Sequence, residues 1–252
     1  MQTLAGRVAI VTGAGQGIGL GISRALAGEG MHTVVVDRDR SAADDAVAQL
    51  TEIGTEGIGV VGDVSDSELA GRAVDAAVST FGRLDALING AQAMRNSVPF
   101  EEHTDADSEL AISTGLWGAF RFMRAAFPHL RERGGSIVNI VSSAGTHGLA
   151  GFAGYAAAKE GIRGLTKVAA NEWGPLEIRV NAIAPQATSA AMEAYLDAHP
   201  ERRDAKLAQR PIKRDGDAEA DIGRTVVFLV GPDSRYITGV TLMVNGGLTI
   251  MP

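Results

Sequence analysis

Cysteine is absent from the 252 residues, so the chain can form no disulfide, no thiolate metal site and no thiol nucleophile. A reducing compartment is therefore expected, with the cytoplasm as default. No basic segment followed by a long apolar stretch opens the chain, and no window approaches about 18 uninterrupted apolar residues, so neither a signal peptide nor a membrane span is expected. Positive charge is also scarce. The 23 Lys and Arg are outnumbered by 30 Asp and Glu, and a net charge of -7 disfavours nucleic acid, whose nonspecific binding needs cations against phosphates. No Pro/Ser-rich linker, compositional shift or repeat divides the chain, which favours one domain over residues 1–252.

What is present is a regular alternation. Short apolar runs at Val8–Thr12, Thr33–Asp37, Ile58–Val61, Leu84–Asn89, Ile137–Val141, Ile178–Ile183 and Thr241–Val244 are rich in β-branched residues and read as buried parallel strands. Amphipathic stretches lie between them. In Asp66–Phe81, for example, Leu69, Ala73, Val74, Ala77, Val78 and Phe81 repeat at helical spacing behind Asp66 as the expected N-cap. The fold class expected is α/β, a doubly wound sheet with helices on both faces and a ligand crevice at the carboxyl ends of the strands. The connections Gln92–His103 and Gln186–Pro211 contain no strand; the second, at about 186–211, is expected to be a substrate lid, or otherwise a surface insertion.

The stretch VAIVTGAGQGIGL runs from strand to helix through a turn with glycines at 13, 15, 17 and 19. Without Cβ atoms, such a turn lets backbone N–H groups and the positive end of the next helix approach a pyrophosphate. The spacing is TGxxxGxG, with Ile18 where the last glycine of GxGxxG would stand. The second strand ends in Asp37, eighteen residues past Gly19, where a carboxylate can bind both ribose hydroxyls and repel a 2′-phosphate. Both this and Gln16, where a basic residue would otherwise meet that phosphate, favour NAD over NADP, although Arg38 softens the preference. Asp63 can either meet an adenine amino group or cap the turn in GDVSD.

The combination of TGAGQGIG, Asp63-Val64, a strand ending in Asn89, and Ser142 thirteen residues before the Tyr155 of YAAAK resembles the classical short-chain dehydrogenases/reductases. IRVNAIAP and YITGVTLMVNGG extend the resemblance over nearly the whole chain. It implies a single seven-stranded Rossmann domain, a nicotinamide cofactor, hydride exchange with a secondary alcohol or ketone, and a homotetramer or homodimer. It also implies the site. Tyr155 becomes the acid/base, Lys159 its pKa tuner and ribose ligand, and Ser142 the donor to the substrate oxygen. Chemistry supports that pairing, because a phenol of pKa near 10 is a poor base at neutral pH and an ammonium on the same helix face favours the phenolate. The implied cofactor contacts are Gly13, Gln16, Gly17, Ile18, Gly19, Asp37, Arg38, Asp63, Val64, Asn89, Gly90, Ala91, Tyr155, Lys159, Pro185, Gln186 and Thr188. Gln92, Met94, Ser142, His147 and Met192 are expected around the substrate, in a partly apolar pocket suited to cyclic or medium-sized secondary alcohols.

Three departures from the family pattern surround this site. Asn89-Gly90-Ala91-Gln92 stands for Asn-Asn-Ala-Gly; Pro185-Gln186 stands for Pro-Gly, with Ala190 replacing a threonine; and Gly115 stands for an asparagine that helps hold a relay water to the lysine. Glycine keeps its carbonyl, and Ser113, Thr114 and Gly115 are weak helix formers, so the expectation is a local helix break, a backbone-carried relay, and turnover that tolerates Ala or Asn at 115. The departures leave open a weakly active nucleotide-binding scaffold or cofactor sensor, and an epimerase or dehydratase of the same fold. His147 is equally readable as a loop bystander, Trp117, Phe120, Phe122 and Phe127 as core or subunit contacts, and the run Glu101, Glu102, His103, Asp105 and Asp107 as a solvated helix start, with no metal site expected.

Overall fold

The computed structural model describes residues 4–95, 97–187, 198–199, 207 and 210–250. Seven strands form one parallel sheet: β1 (Val8–Thr12), β2 (His32–Asp37), β3 (Gly57–Val61), β4 (Ala86–Asn89), β5 (Gly135–Ile140), β6 (Ile178–Pro185) and β7 (Thr241–Val244). Their order, β3-β2-β1-β4-β5-β6-β7, reverses between β1 and β4, and that reversal opens a crevice at the strand carboxyl ends. The β-branched runs form strands because both faces of the sheet are covered. Every residue of β1 and β4 is buried, and Val34, Val35 and Val36 of β2 are fully so. β6 runs two residues past the expected end, because Ala184 and Pro185 pair with Met243 and Val244.

Helices α1 (Gly17–Gly28) and α2 (Arg40–Ile53) join one layer; α3 (Leu69–Phe81) joins the other. Ile22 and Leu26 of α1 pack with Val11 and Ile88 on one face, and Leu69 and Val74 of α3 pack with Ile10 and Leu87 on the opposite face. Asp66 is not the N-cap of α3. Its carboxylate accepts from Glu68 N (3.0 Å) and binds Arg72 Nη1 (3.0 Å), which turns the chain before the helix starts at Leu69.

The next helical run is continuous but not uniform: α4 (Asp105–Ala111), a π turn (Ile112–Trp117) and α5 (Gly118–Leu130). The weak helix formers Ser113, Thr114 and Gly115 lie inside the π turn, so the helix widens there instead of breaking as expected, and the Gly118 N–H donates to Gly115 O and Ser113 O. Thr104 and Asp107 close a capping box at the start of α4, so Asp107 serves the helix end, and it also pairs with Arg95 (2.9 Å). Phe122 is core, Phe127 stacks on Trp173 with centroids 4.9 Å apart, and Trp117 is half-exposed. Further helices are α6 (Ser143–His147), the long α7 (Ala153–Trp173) and α8 (Arg224–Val230), the last preceded by a π turn at Ala218–Gly223 that brings Ile222 into the core. Among the described residues, no helix is long and apolar enough to cross a membrane.

Candidate active site

The turn between β1 and α1 is shaped by contacts that only glycine permits. Gly13 has φ 69°, and a Cβ on Gly19 would lie 2.0 Å from the Gly13 carbonyl oxygen, so the first turn of α1 folds directly onto the preceding loop. Gln16 precedes α1 in extended conformation without a side-chain cap, which leaves the amides of the first turn open to an anion. Asp37, at the end of β2, accepts from Gly15 N through Oδ2 (2.9 Å) and from Asp39 N through Oδ1 (3.1 Å). It thereby holds the turn as well as facing the crevice. That crevice is lined by Gly13, Gln16, Asp37, Arg38, Asp63, Val64, Gly90 and Ala91, all expected there, and also by Val36, Gly62, Ala93 and Thr114, which were not. Asp63 accepts from both the hydroxyl (2.7 Å) and the N–H (2.8 Å) of Ser65, and these bonds hold its carboxyl below the usual range. The turn-capping reading of Asp63 is thus realised, with the residue still at the crevice wall.

A second cavity adjoins the first and shares Gly90 and Gln92 with it. Here β5 delivers Ser142 and α7 delivers Tyr155 and Lys159, all three lining one space with Ile18, Gly19 and Pro185. Ser142 caps α6 by accepting from Ala144 N (3.1 Å), and its hydroxyl lies near enough to the Tyr155 phenol to favour the phenolate. Lys159 is buried, donates from Nζ to Ile140 O (2.8 Å), and lies 5.6 Å from the centroid of the Tyr155 ring. Burial pushes the lysine pKa down to about 7. Burial also pushes the Tyr155 phenol up, against the opposing effect of the Ser142 hydroxyl. The expected lowering of the tyrosine by Lys159 is not seen in the protein alone, because the amine sits over the ring face and is itself drawn towards neutrality by desolvation.

Other expected residues fall elsewhere. Asn89 turns from the crevice into the core: its Nδ2 donates to Asn139 Oδ1 (2.8 Å), and Asn139 Nδ2 donates to Thr166 Oγ1 on α7 (2.9 Å). Gly17 holds φ 57° in the first turn of α1. Gln186 lines a different cavity, with Arg210, Ile212 and Asn245. Neither Met94, half-exposed after β4, nor His147, exposed and paired with Thr146 Oγ1 (2.7 Å), lines the cavity of Ser142. Thr188 and Met192, with most of the expected lid, lie outside the described residues. At Gly115 the surroundings bear on the expected tolerance of a side chain. A Cβ there would stand 2.1 Å from Gln92 Oε1, so Ala or Asn at 115 requires the end of the Gln92 side chain to move.

The residues present suit a dinucleotide: a cradle that a single Cβ would fill, an uncapped helix start, and a carboxylate at the end of β2. A family model described as enoyl-(acyl carrier protein) reductase matches residues 13–249. The chain is 41% identical to a 12α-hydroxysteroid dehydrogenase from Clostridium sp., over 98% of both chains. It is 37% identical to a trans-4-hydroxycyclohexanecarboxylate dehydrogenase from Sinomonas cyclohexanicum, over 98% of this chain and 94% of that one. The crystal structure of an NAD+-bound xylitol dehydrogenase superposes with a TM-score of 0.89 at 32% identity, covering 97% of this chain and 99% of the other. Matched in sequence along nearly its whole length and in the architecture around its crevice, the chain belongs to the short-chain dehydrogenase/reductase family.

Proposed function

We propose that the protein is an oxidoreductase that interconverts a cyclic secondary alcohol and its ketone, using NAD(H) in preference to NADP(H). The observation that carries this reading is the Ser142–Tyr155 hydroxyl pair beside the buried Lys159, in a cavity that shares a wall with the glycine cradle. When bound, the nicotinamide supplies the acceptor or donor of hydride at carbon. The proton is the task of the chain's own residues. In the oxidative direction the alcohol loses hydride from carbon and a proton from oxygen, and the Tyr155 phenolate takes that proton while the Ser142 hydroxyl holds the same oxygen. Because burial favours the neutral phenol, the phenolate needs the positive charge of a protonated Lys159 over its ring and the nearby Ser142 hydroxyl. Lys159, with its pKa near 7, changes charge in the range where the protein would work.

Asp37 supports the choice of NAD, since its carboxylate faces the crevice where a 2′-phosphate would be repelled. The cyclic alcohol class is supported by the ring-bearing secondary alcohols in the names of the two curated relatives. The test is a panel of hydroxysteroids, substituted cyclohexanols and their ketones, with both cofactors, followed at the NADH absorbance. Turnover should be found among the cyclic compounds, should favour NAD(H) in kcat/KM, and should fall by about 100-fold or more in Tyr155→Phe. NADH binding without turnover of any alcohol or ketone would reject the enzyme reading in favour of a cofactor sensor. Substantial turnover by Tyr155→Phe would reject the acid/base assignment.

A further inference from the structure

The three polar groups that meet the π turn follow one pattern. Ser113 Oγ donates to Glu109 O (2.6 Å) and Thr114 Oγ1 to Leu110 O (2.6 Å), each reaching back four residues along its own helix. The next member would be a side chain at 115 reaching Ala111 O. Residue 115 has no side chain, and the donor to Ala111 O is instead Gln92 Nε2 (3.0 Å), which arrives from the loop after β4. The amide lies in the volume of the missing side chain: a Cβ on Gly115 would be 2.1 Å from Gln92 Oε1, 2.9 Å from Cδ and 3.1 Å from Nε2. Gln92 Nε2 also donates to Ala93 O within the loop (2.8 Å), and Ala93 N donates to Thr114 Oγ1 (3.0 Å), so the loop is tied both to the end of α4 at Ala111 and to the π turn at Thr114.

Both ends of this junction lead to the site. On one side, Gly90 N and Ala91 N donate to Thr12 Oγ1 (3.0 and 3.1 Å), and Ala91 packs so closely on the cradle that a Cβ at Gly13 would lie 3.0 Å from its Cα. On the other side, Leu116 of the π turn presses on α7, where a Cβ at Gly161 would lie 2.9 Å from Leu116 Cδ2, two residues beyond Lys159. Gln92 Oε1 is buried and has no hydrogen-bond partner among the described residues. A bare buried acceptor carries a desolvation cost, so stability alone does not explain the choice of an amide here.

We infer that Gln92 and Gly115 form a matched positioning pair, in which the Gln92 amide supplies from another segment the polar side chain that residue 115 lacks and so fixes the cofactor crevice against the helix bearing Tyr155 and Lys159. The inference rests on the proposed oxidoreductase reading for its catalytic consequence but not for the pairing itself. The experiment is a double-mutant cycle on the full chain with Gln92→Gly, Gly115→Asn and the double variant, joined by Gln92→Met, which keeps the length and loses the amide. NADH affinity by fluorescence, kcat, the pH–rate profile and urea stability are measured for each.

Gly115→Asn alone should lose about tenfold or more in NADH affinity or kcat, because two amides compete for one volume, and Gln92→Gly should lose a similar factor. The double variant, with its amide returned to the helix, should recover to within about threefold of wild type and restore the pH profile. Gln92→Met should shift the pH profile and lower kcat while remaining folded, which a filler of space would not do. Losses that multiply in the double variant, or wild-type kcat and pH profile in both Gln92→Gly and Gln92→Met, would overturn the pairing. Should the wild type bind NADH but turn over no substrate, the oxidoreductase reading fails while the cycle read on NADH affinity still decides the pair; if Gly115→Asn does not fold, Gln92→Met decides it.

Discussion

Lys159→Met should make the cofactor-free protein more stable at neutral pH and remove a pH dependence that the wild type shows. Lys159 Nζ is buried and donates to Ile140 O, and desolvation lowers its pKa from 10.5 to about 7. The unfolded chain therefore binds the proton more tightly, and between the two values it carries a proton that the folded chain does not. Stability rises with pH wherever the unfolded state holds more protons. The cost of burying the charge is accordingly full below pH 7 and fades as pH climbs towards 10.5. A shift of this size corresponds to about 5 kcal/mol in all, of which about 2 kcal/mol is recovered between pH 7 and pH 9. Methionine removes the charge but leaves Ile140 O without its donor, at about 1–3 kcal/mol. The variant should thus gain about 1–3 kcal/mol over wild type at pH 7 and be nearly equal to it at pH 9. Urea unfolding at fixed protein concentration, followed by tryptophan fluorescence at half-unit pH steps, measures this directly. A wild-type curve flat from pH 7 to pH 9, or a variant that keeps the wild-type slope, would show that Lys159 is not the desolvated amine described here.

Gly19→Ala drives a Cβ to 2.0 Å from the Gly13 carbonyl oxygen, so the cradle must open; stability should fall by about 1–3 kcal/mol and NADH affinity, by fluorescence titration, by more than about tenfold. Asn139→Leu strands the Asn89 amide and frees Thr166 on α7, and urea unfolding should register a loss of roughly 2–4 kcal/mol. Asp37→Asn keeps one oxygen to accept from Gly15 N but drops the charge, so the ratio of kcat/KM for NADP to that for NAD should rise roughly tenfold, a Coulomb difference of about 1–4 kcal/mol at contact range. An unchanged ratio would mean that Asp37 serves the turn alone.

The sheet was legible because its signal is local: a parallel strand covered on both faces must be a short apolar run, and all seven runs became strands within two residues at either end. The cradle and the Ser142, Tyr155 and Lys159 cluster were legible for a related reason, since glycine spacing and a Tyr–Lys pair at one helix face survive in one dimension. Asn89 shows what did not survive. Its side chain closes a buried chain to Asn139, fifty residues on, and to Thr166 beyond that, and no local pattern marks a strand residue as facing the neighbouring strand rather than the crevice. The charge state of the site was similarly hidden. A Tyr and a Lys four apart predict proximity, but whether burial or mutual attraction sets their pKa depends on Ile140 and the layers above them.

Read one at a time, Gln92 and Gly115 each suggest a loss: a bulky amide where a small residue is usual, and a missing side chain where an amide is usual. In space the two departures cancel, because the π turn brings the bare Cα of Gly115 to the end of the Gln92 side chain, and either change alone would leave a clash or a gap. The pairing also separates these two positions from the third departure. Gln186 donates its backbone N–H to Val244 O (2.9 Å) and lines the cavity of Arg210 and Asn245, away from the π turn, so nothing at 92 or 115 compensates for it. Gln186 thus answers to the cavity of Arg210 and Asn245, while Gln92 and Gly115 answer to each other.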